Sequence, residues 1–187
     1  MNKFYLILIG FIFCLLTHSV SAQSIFLKAD ALTTGASKEK TYTNYAEITS
    51  LQFGVSAESS WIRGENPSVG NANFQHVTIT KNVDVSSTKF LQKIATGTKI
   101  DLIEIVSTGN VGVNTLEVVH KVELKDAYVT NVSSSGIKEC TGDCPAIAES
   151  YEFVFKAIRI TTYTFDNKGK AIESVFVYNV ALNNSTF

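Results

Sequence analysis

The chain of 187 residues has two prolines, three histidines, one tryptophan and no excess of either charge, its formal net charge being −1. Each scarcity excludes something. A near-neutral chain with no basic run offers nothing to nucleic acid or to an acidic membrane surface. Few prolines leave long stretches free to pair as strands. Three cysteines is an odd count, and the odd one lies near the start: Cys14 sits in FYLILIGFIFCLLT (4–17), the one long apolar run in the chain.

That run follows Met1-Asn2-Lys3 and leads into HSVSA (18–22), with Val20 and Ala22 at the small-residue positions a signal peptidase requires. It is short of the roughly 20 residues needed to cross a bilayer as a helix. Residues 1–22 therefore read as a secretory signal peptide, and 23–187 as one domain exported to the periplasm or outside a Gram-negative cell, with no membrane span after cleavage. Cleavage removes Lys3 and Cys14, leaving a net charge of −2 and the pair Cys140 and Cys144. In an oxidising compartment a pair this close reads as a disulfide closing a small loop, a contribution on the order of 2 kcal/mol.

What is abundant is strand chemistry: Val, Ile, Thr, Phe and Tyr in repeated alternation with polar residues. IFLKA (25–29) is a short first strand, and TNYAEITSLQFGVS (43–56) alternates with a slip near Ser50 that suggests a bulge. HVTITKNVDV (76–85) places Val77, Ile79, Val83 and Val85 on one face. KIDLIEIVS (99–107) is apolar on both faces, with Ile103 and Ile105 on one and Ile100, Leu102 and Val106 on the other. That pattern suits a wall that also meets a neighbour. In 115–132, Leu116, Val118, Val122, Leu124 and Tyr128 share a face opposite Glu117, Lys121, Glu123 and Lys125. Residues 150–165 and 171–182 flank DNKG (166–169), a hairpin turn. One helix, SSTKFLQKIATG (86–97), has a serine cap, closes at Gly97 and gathers Phe90, Leu91, Ile94 and Ala95 on one face that would plug the end of a barrel. The fold class is all-β with one helix.

Residues 57–74 read as a long irregular connection carrying Trp61, Ile62, Val69 and Phe74. Connections of more than about 12–15 residues without secondary structure are uncommon and often functional. Trp61 either folds back on its own barrel or packs on another subunit, and both readings stay open.

Catalytic constellations are missing. His120 lies on the apolar face of its strand and reads as a core histidine, while His76 has no nucleophile beside it. Cys140 and Cys144 lack the further ligands a zinc site needs and the spacing of thiol oxidoreductases. Glu104 is a lone carboxylate awaiting a Lys partner or a subunit seam. No catalytic, metal or cofactor site is expected.

Three stretches resemble the Hcp family (haemolysin-coregulated proteins), the tube-forming subunits of bacterial type VI secretion systems. IFLKADALTTGASKEK (25–40), with Gly35 and Ser37, is similar to the family's opening strand. HVTITKNVDVSSTKFLQKIATGTKI (76–100) is the most specific, matching at Lys81, Asp84, Ser87, Leu91, Gly97 and Lys99. ESYEFVFKAIRITTYTFDNKGKAIESVFVYNVALN (149–183) resembles the closing hairpin. The resemblance implies a small antiparallel β-barrel capped by one short helix. It also implies a homo-hexameric ring whose lumen can carry small effector proteins, and rings that stack into a tube. The family uses an extended loop after the second strand for contacts between subunits or rings. By position that loop is 57–74, with Trp61 as anchor, and Trp61, Ile62, Val69, Phe74, Ile103 and Ile105 become the candidate subunit interface. The chain departs from the family in its signal peptide, in lacking a glycine-rich run in the loop, and in the inserted ECTGDC (139–144). The competing reading is a secreted monomeric barrel that uses its loops to bind a ligand, a glycan or a host surface.

Overall fold

The computed structural model describes residues 23–64, 66–111, 116–136 and 147–187. The signal peptide and the Cys140–Cys144 segment lie outside the described residues. Among the described residues, eleven strands and one α-helix follow in chain order, with a 3-10 turn at Lys40–Tyr42: β1 (Ile25–Ala29), β2 (Ala46–Ile48), β3 (Ser50–Gln52), β4 (Val55–Ser60), β5 (Ser68–Phe74), β6 (Val77–Asn82), α1 (Ser87–Thr96), β7 (Ile100–Asn110), β8 (Leu116–Gly136), β9 (Ile147–Val154), β10 (Ala157–Phe165) and β11 (Ala171–Asn179). All the pairings are antiparallel.

The main sheet runs β2-β1-β7-β8-β9-β6-β3. Its two ends, β2 and β3, are consecutive in the chain and separated only by Thr49, whose amide donates to the Thr80 carbonyl at 2.7 Å. The sheet therefore returns on itself as a barrel, and the slip read near Ser50 is the corner that closes it. β8 is the longest strand. Its first half pairs with β7 and β10, its second half with β9. Past the barrel, β10 and β11 form a two-stranded wing; among the described strands β11 pairs with β10, and its last residue, Asn179, also bridges to Asn184.

Alternation along each strand fills the barrel. Leu27, Val77, Ile79, Ile103, Ile105, Val122, Leu124, Tyr151, Phe153 and Ile158 are inside. Asp126, at φ 50, falls between the paired residues Lys125 and Ala127 and switches the side-chain parity of β8. Beyond it Ala127 and Val129 point inward and Tyr128 is exposed, not on the core face with Leu124 as the sequence pattern suggested. On the second apolar face of β7, Ile100 and Val106 are buried within the chain while Leu102 is exposed. Val106 pairs with Phe26, and the Phe26 ring stacks on Tyr42 at 4.1 Å.

Helix α1 closes one end. Gly97 takes the left-handed conformation, φ 60, and its amide donates to the Ile94 carbonyl as a helix stop. Phe90 is fully buried against Tyr151 and Phe153, and Ile94 packs beside the core. Leu91 and Ala95 are exposed, because the buried face centres on Ser87 and Phe90. Ser86 does not cap the helix with its side chain; its hydroxyl donates instead to the Asp84 carboxylate.

Candidate assembly surfaces

The most specific sequence motif, Lys81 to Ser87, builds a buried charge cluster. Lys81 continues the inward parity of Val77 and Ile79, so its side chain enters the barrel and is fully buried. It faces Glu149, its cross-strand partner on β9. The ammonium lies 2.9 Å from Asp84 and 3.2 Å from Glu149, and donates to Ser87 Oγ at 2.9 Å. Ser87 Oγ in turn donates to Glu149 at 2.6 Å, and the Tyr151 hydroxyl donates to the same carboxylate at 2.7 Å. Burial alone would raise the Glu149 carboxyl. The bonds from Ser87 and Tyr151 and the Lys81 charge outweigh it and hold the group below its ordinary value. Burial, then Glu149 itself, push the Tyr151 hydroxyl up. Every member is satisfied, so the cluster fastens the start of α1 to β6 and β9. Val83 and Val85, expected on the core face, are exposed: β6 ends at Asn82 and the chain turns into the helix.

A second network lies on the outer wall. Lys28, Glu104, Glu123 and Arg159 stand side by side across β1, β7, β8 and β10. Glu104 and Glu123 are direct neighbours of like charge, and Lys121 bridges them at 2.7 and 3.5 Å. Glu104 thus has its Lys partner, together with the Tyr45 hydroxyl at 2.5 Å. Burial would raise Glu104, but Lys121 and Tyr45 prevail and lower it.

The segment 57–74 is not irregular. It forms a hairpin arm, β4 against β5, that pairs with no other described strand and whose residues are exposed almost throughout. Gly64 at φ 92 lies in the turn. Alternation was hidden here because neither face of the ribbon is buried, so no apolar period marks it. Trp61 at 77% exposure, Ile62 at 59% and Val69 at 67% lie on this arm. Phe74 does not join them: its ring packs on Tyr178 at 4.9 Å and on Phe155 at 6.3 Å, anchoring the arm's base. Ile103 and Ile105 are fully buried inside the subunit and reach no interface, since the inner face of β7 is the barrel core. The wing supplies exposed apolar residues that the sequence reading did not single out: Ile172, Val175 and Phe176.

His120 is half-buried, parallel to the Phe53 ring at 6.5 Å, with desolvation holding its imidazole below the ordinary value. His76 faces Glu152 at 3.3 Å on an exposed surface. Among the described residues no three His, Cys, Asp or Glu side chains are grouped to hold a metal ion, and no helix is long and apolar enough to cross a membrane. Two open clefts of about 500 Å³ mark the surface, one lined by Phe26, Glu39 and Glu47, the other by Leu32, Lys89 and Lys93.

Comparison with known proteins agrees with this architecture. No curated protein sequence matches the chain. Among solved structures, a type six secretion system protein superposes with a TM-score of 0.75 at 19% identity, over 87% of this chain and 99% of its own. Hcp1 from Salmonella typhimurium gives 0.69 at 23% identity, over 88% and 99%. Hcp1 from Flavobacterium johnsoniae gives 0.53 at 8% identity, over 81% and 99%. The profile of the family described as "Type VI secretion system effector, Hcp" matches residues 26–162, and the chain belongs to that family.

Proposed function

We propose that the protein is a structural subunit that assembles as a homo-hexameric ring, with a lumen able to hold small effector proteins. Residues 1–22 direct it out of the cytoplasm, to the periplasm or beyond. The Cys140–Cys144 disulfide belongs to the same reading, because export brings the pair into an oxidising compartment.

The observation that carries this reading is the arm. An isolated two-stranded ribbon is marginal in water by itself. This one carries Trp61, Ile62 and Val69 with most of their surface open to solvent. Aromatic residues presented in this way are the anchors that partner surfaces bury. A ring needs two different faces per subunit that close under rotation, and a projecting arm supplies one of them.

The test is the mass in solution of residues 23–187, which contain all the described strands, by light scattering under oxidising conditions. Six-fold mass supports the ring. A monomer removes it and makes a secreted binding module the leading account.

A further inference from the structure

Cleavage after Ala22 makes Gln23 the first residue of the exported chain. The fold begins one residue later. The Ser24 carbonyl accepts from the Thr108 amide at 2.8 Å and from the Thr108 hydroxyl at 3.1 Å, which ties this end of the chain to β7. Gln23 itself lies outside every strand and is exposed. It lines the open cleft of about 500 Å³ shared with Phe26, Glu39 and Glu47, so its side chain has space to turn back on its own backbone.

A glutamine at a free N-terminus carries its own electrophile. Its side-chain amide carbon stands where attack by the α-nitrogen closes a five-membered ring, and holding both groups in one residue removes most of the entropic barrier to their meeting. The attacking amine must be unprotonated. Terminal amines lose their proton near about pH 8, so a reactive fraction is present at neutral pH. Before cleavage the same nitrogen is the amide that joins Gln23 to Ala22 and is not a nucleophile. The reaction therefore waits for export.

We propose that Gln23 is a modification site, at which the new terminus closes to a pyroglutamyl lactam. The site rests on the export reading above. The α-nitrogen forms a bond to Cδ, the Cδ–Nε2 bond breaks, and Nε2 takes a proton from the amine and leaves as ammonia. Nothing is oxidised or reduced, and no co-reactant is consumed. The product has neither a terminal charge nor the primary amine that exopeptidases working from the N-terminus require. What it guards is β1. Ile25 pairs with Ile48 of β2 on one side and with Ser107 of β7 on the other, so trimming from this end would unpick the strand that joins them.

The test takes the full chain exported from its host, reduces it, and measures its intact mass together with Edman degradation of the same sample. The expected mass is that of residues 23–187 less one ammonia, with no residue released in the first cycle. The Q23E variant presents a carboxylate, a far poorer electrophile, and is expected at its full mass with glutamate released first. The full mass of residues 23–187 with a free terminal glutamine overturns the lactam and leaves the export cleavage standing. A chain that begins at any other residue overturns both. A Q23E terminus blocked as completely as the parent's overturns the assignment to the glutamine side chain.

Discussion

The Lys81 ammonium and the Glu149 carboxylate meet at 3.2 Å inside the barrel, as cross-strand partners on β6 and β9. Asp84 on the turn beyond β6 and Ser87 at the start of α1 complete their shell, so the pair couples the helix to the wall.

Replacing Lys81 with Met leaves Glu149 buried beside Asp84 with no compensating charge. Breaking a buried pair in this way costs about 3–5 kcal/mol. Urea unfolding of the K81M chain is expected to show a lowered midpoint and an unfolding free energy reduced by about that amount. The double variant K81M/E149L, which removes both charges of the pair, is expected to recover part of it.

Acid is expected to weaken the fold through the same cluster. The folded Glu149 carboxyl is held below its ordinary 4.5 despite the burial that opposes this, and Glu104 is lowered likewise. A depressed carboxyl contributes stability that is complete above the unfolded value and is lost as pH falls through the folded one, because the unfolded chain takes up the proton first. Urea midpoints measured from neutral pH down past the ordinary glutamate range are expected to fall there, and the E149Q variant is expected to fall less steeply.

Phe90 is the helix residue that plugs the barrel, fully buried against Tyr151 and Phe153. Truncation to Ala is expected to cost about 3–5 kcal/mol, mostly through the cavity it leaves. Leu91→Ala, one position on, is exposed and expected to change stability by about 0.5 kcal/mol or less. Parallel thermal melts of the two variants check the assignment of the buried face.

Trp61→Ser separates folding from assembly. At 77% exposure the ring contributes little to its own subunit, and the melting temperature of the dissociated chain is expected to stay unchanged. Loss of a buried aromatic anchor costs about 2 kcal/mol or more at an interface. Light scattering through a dilution series is expected to show the W61S oligomer dissociating at higher concentration than the parent.

Strands with one face on the core were legible because burial imposes a period of two: Val77 and Ile79, or Val122 and Leu124, mark it plainly. The pattern misled where chain direction or parity changes within a few residues. Val83 and Val85 continue an inward register that ends with β6, and Tyr128 lies past the switch at Asp126. The hairpin arm was invisible for the opposite reason, since a ribbon exposed on both faces carries no hydrophobic period.

The sequence by itself determined the all-β class, the single helix with its stop at Gly97, the β10–β11 turn and the motif that identifies the family. These depend on local geometry and short-range patterning, which neighbouring residues encode. Only the tertiary structure decided that Lys81 points inward to meet Glu149, that Ile103 and Ile105 belong to the core rather than a seam, and that Phe74 anchors the arm while Trp61 stays in solvent. Those outcomes depend on which distant strands pair and on what lies across the sheet, and an alternating pattern is the same whether its apolar face meets its own barrel or another molecule.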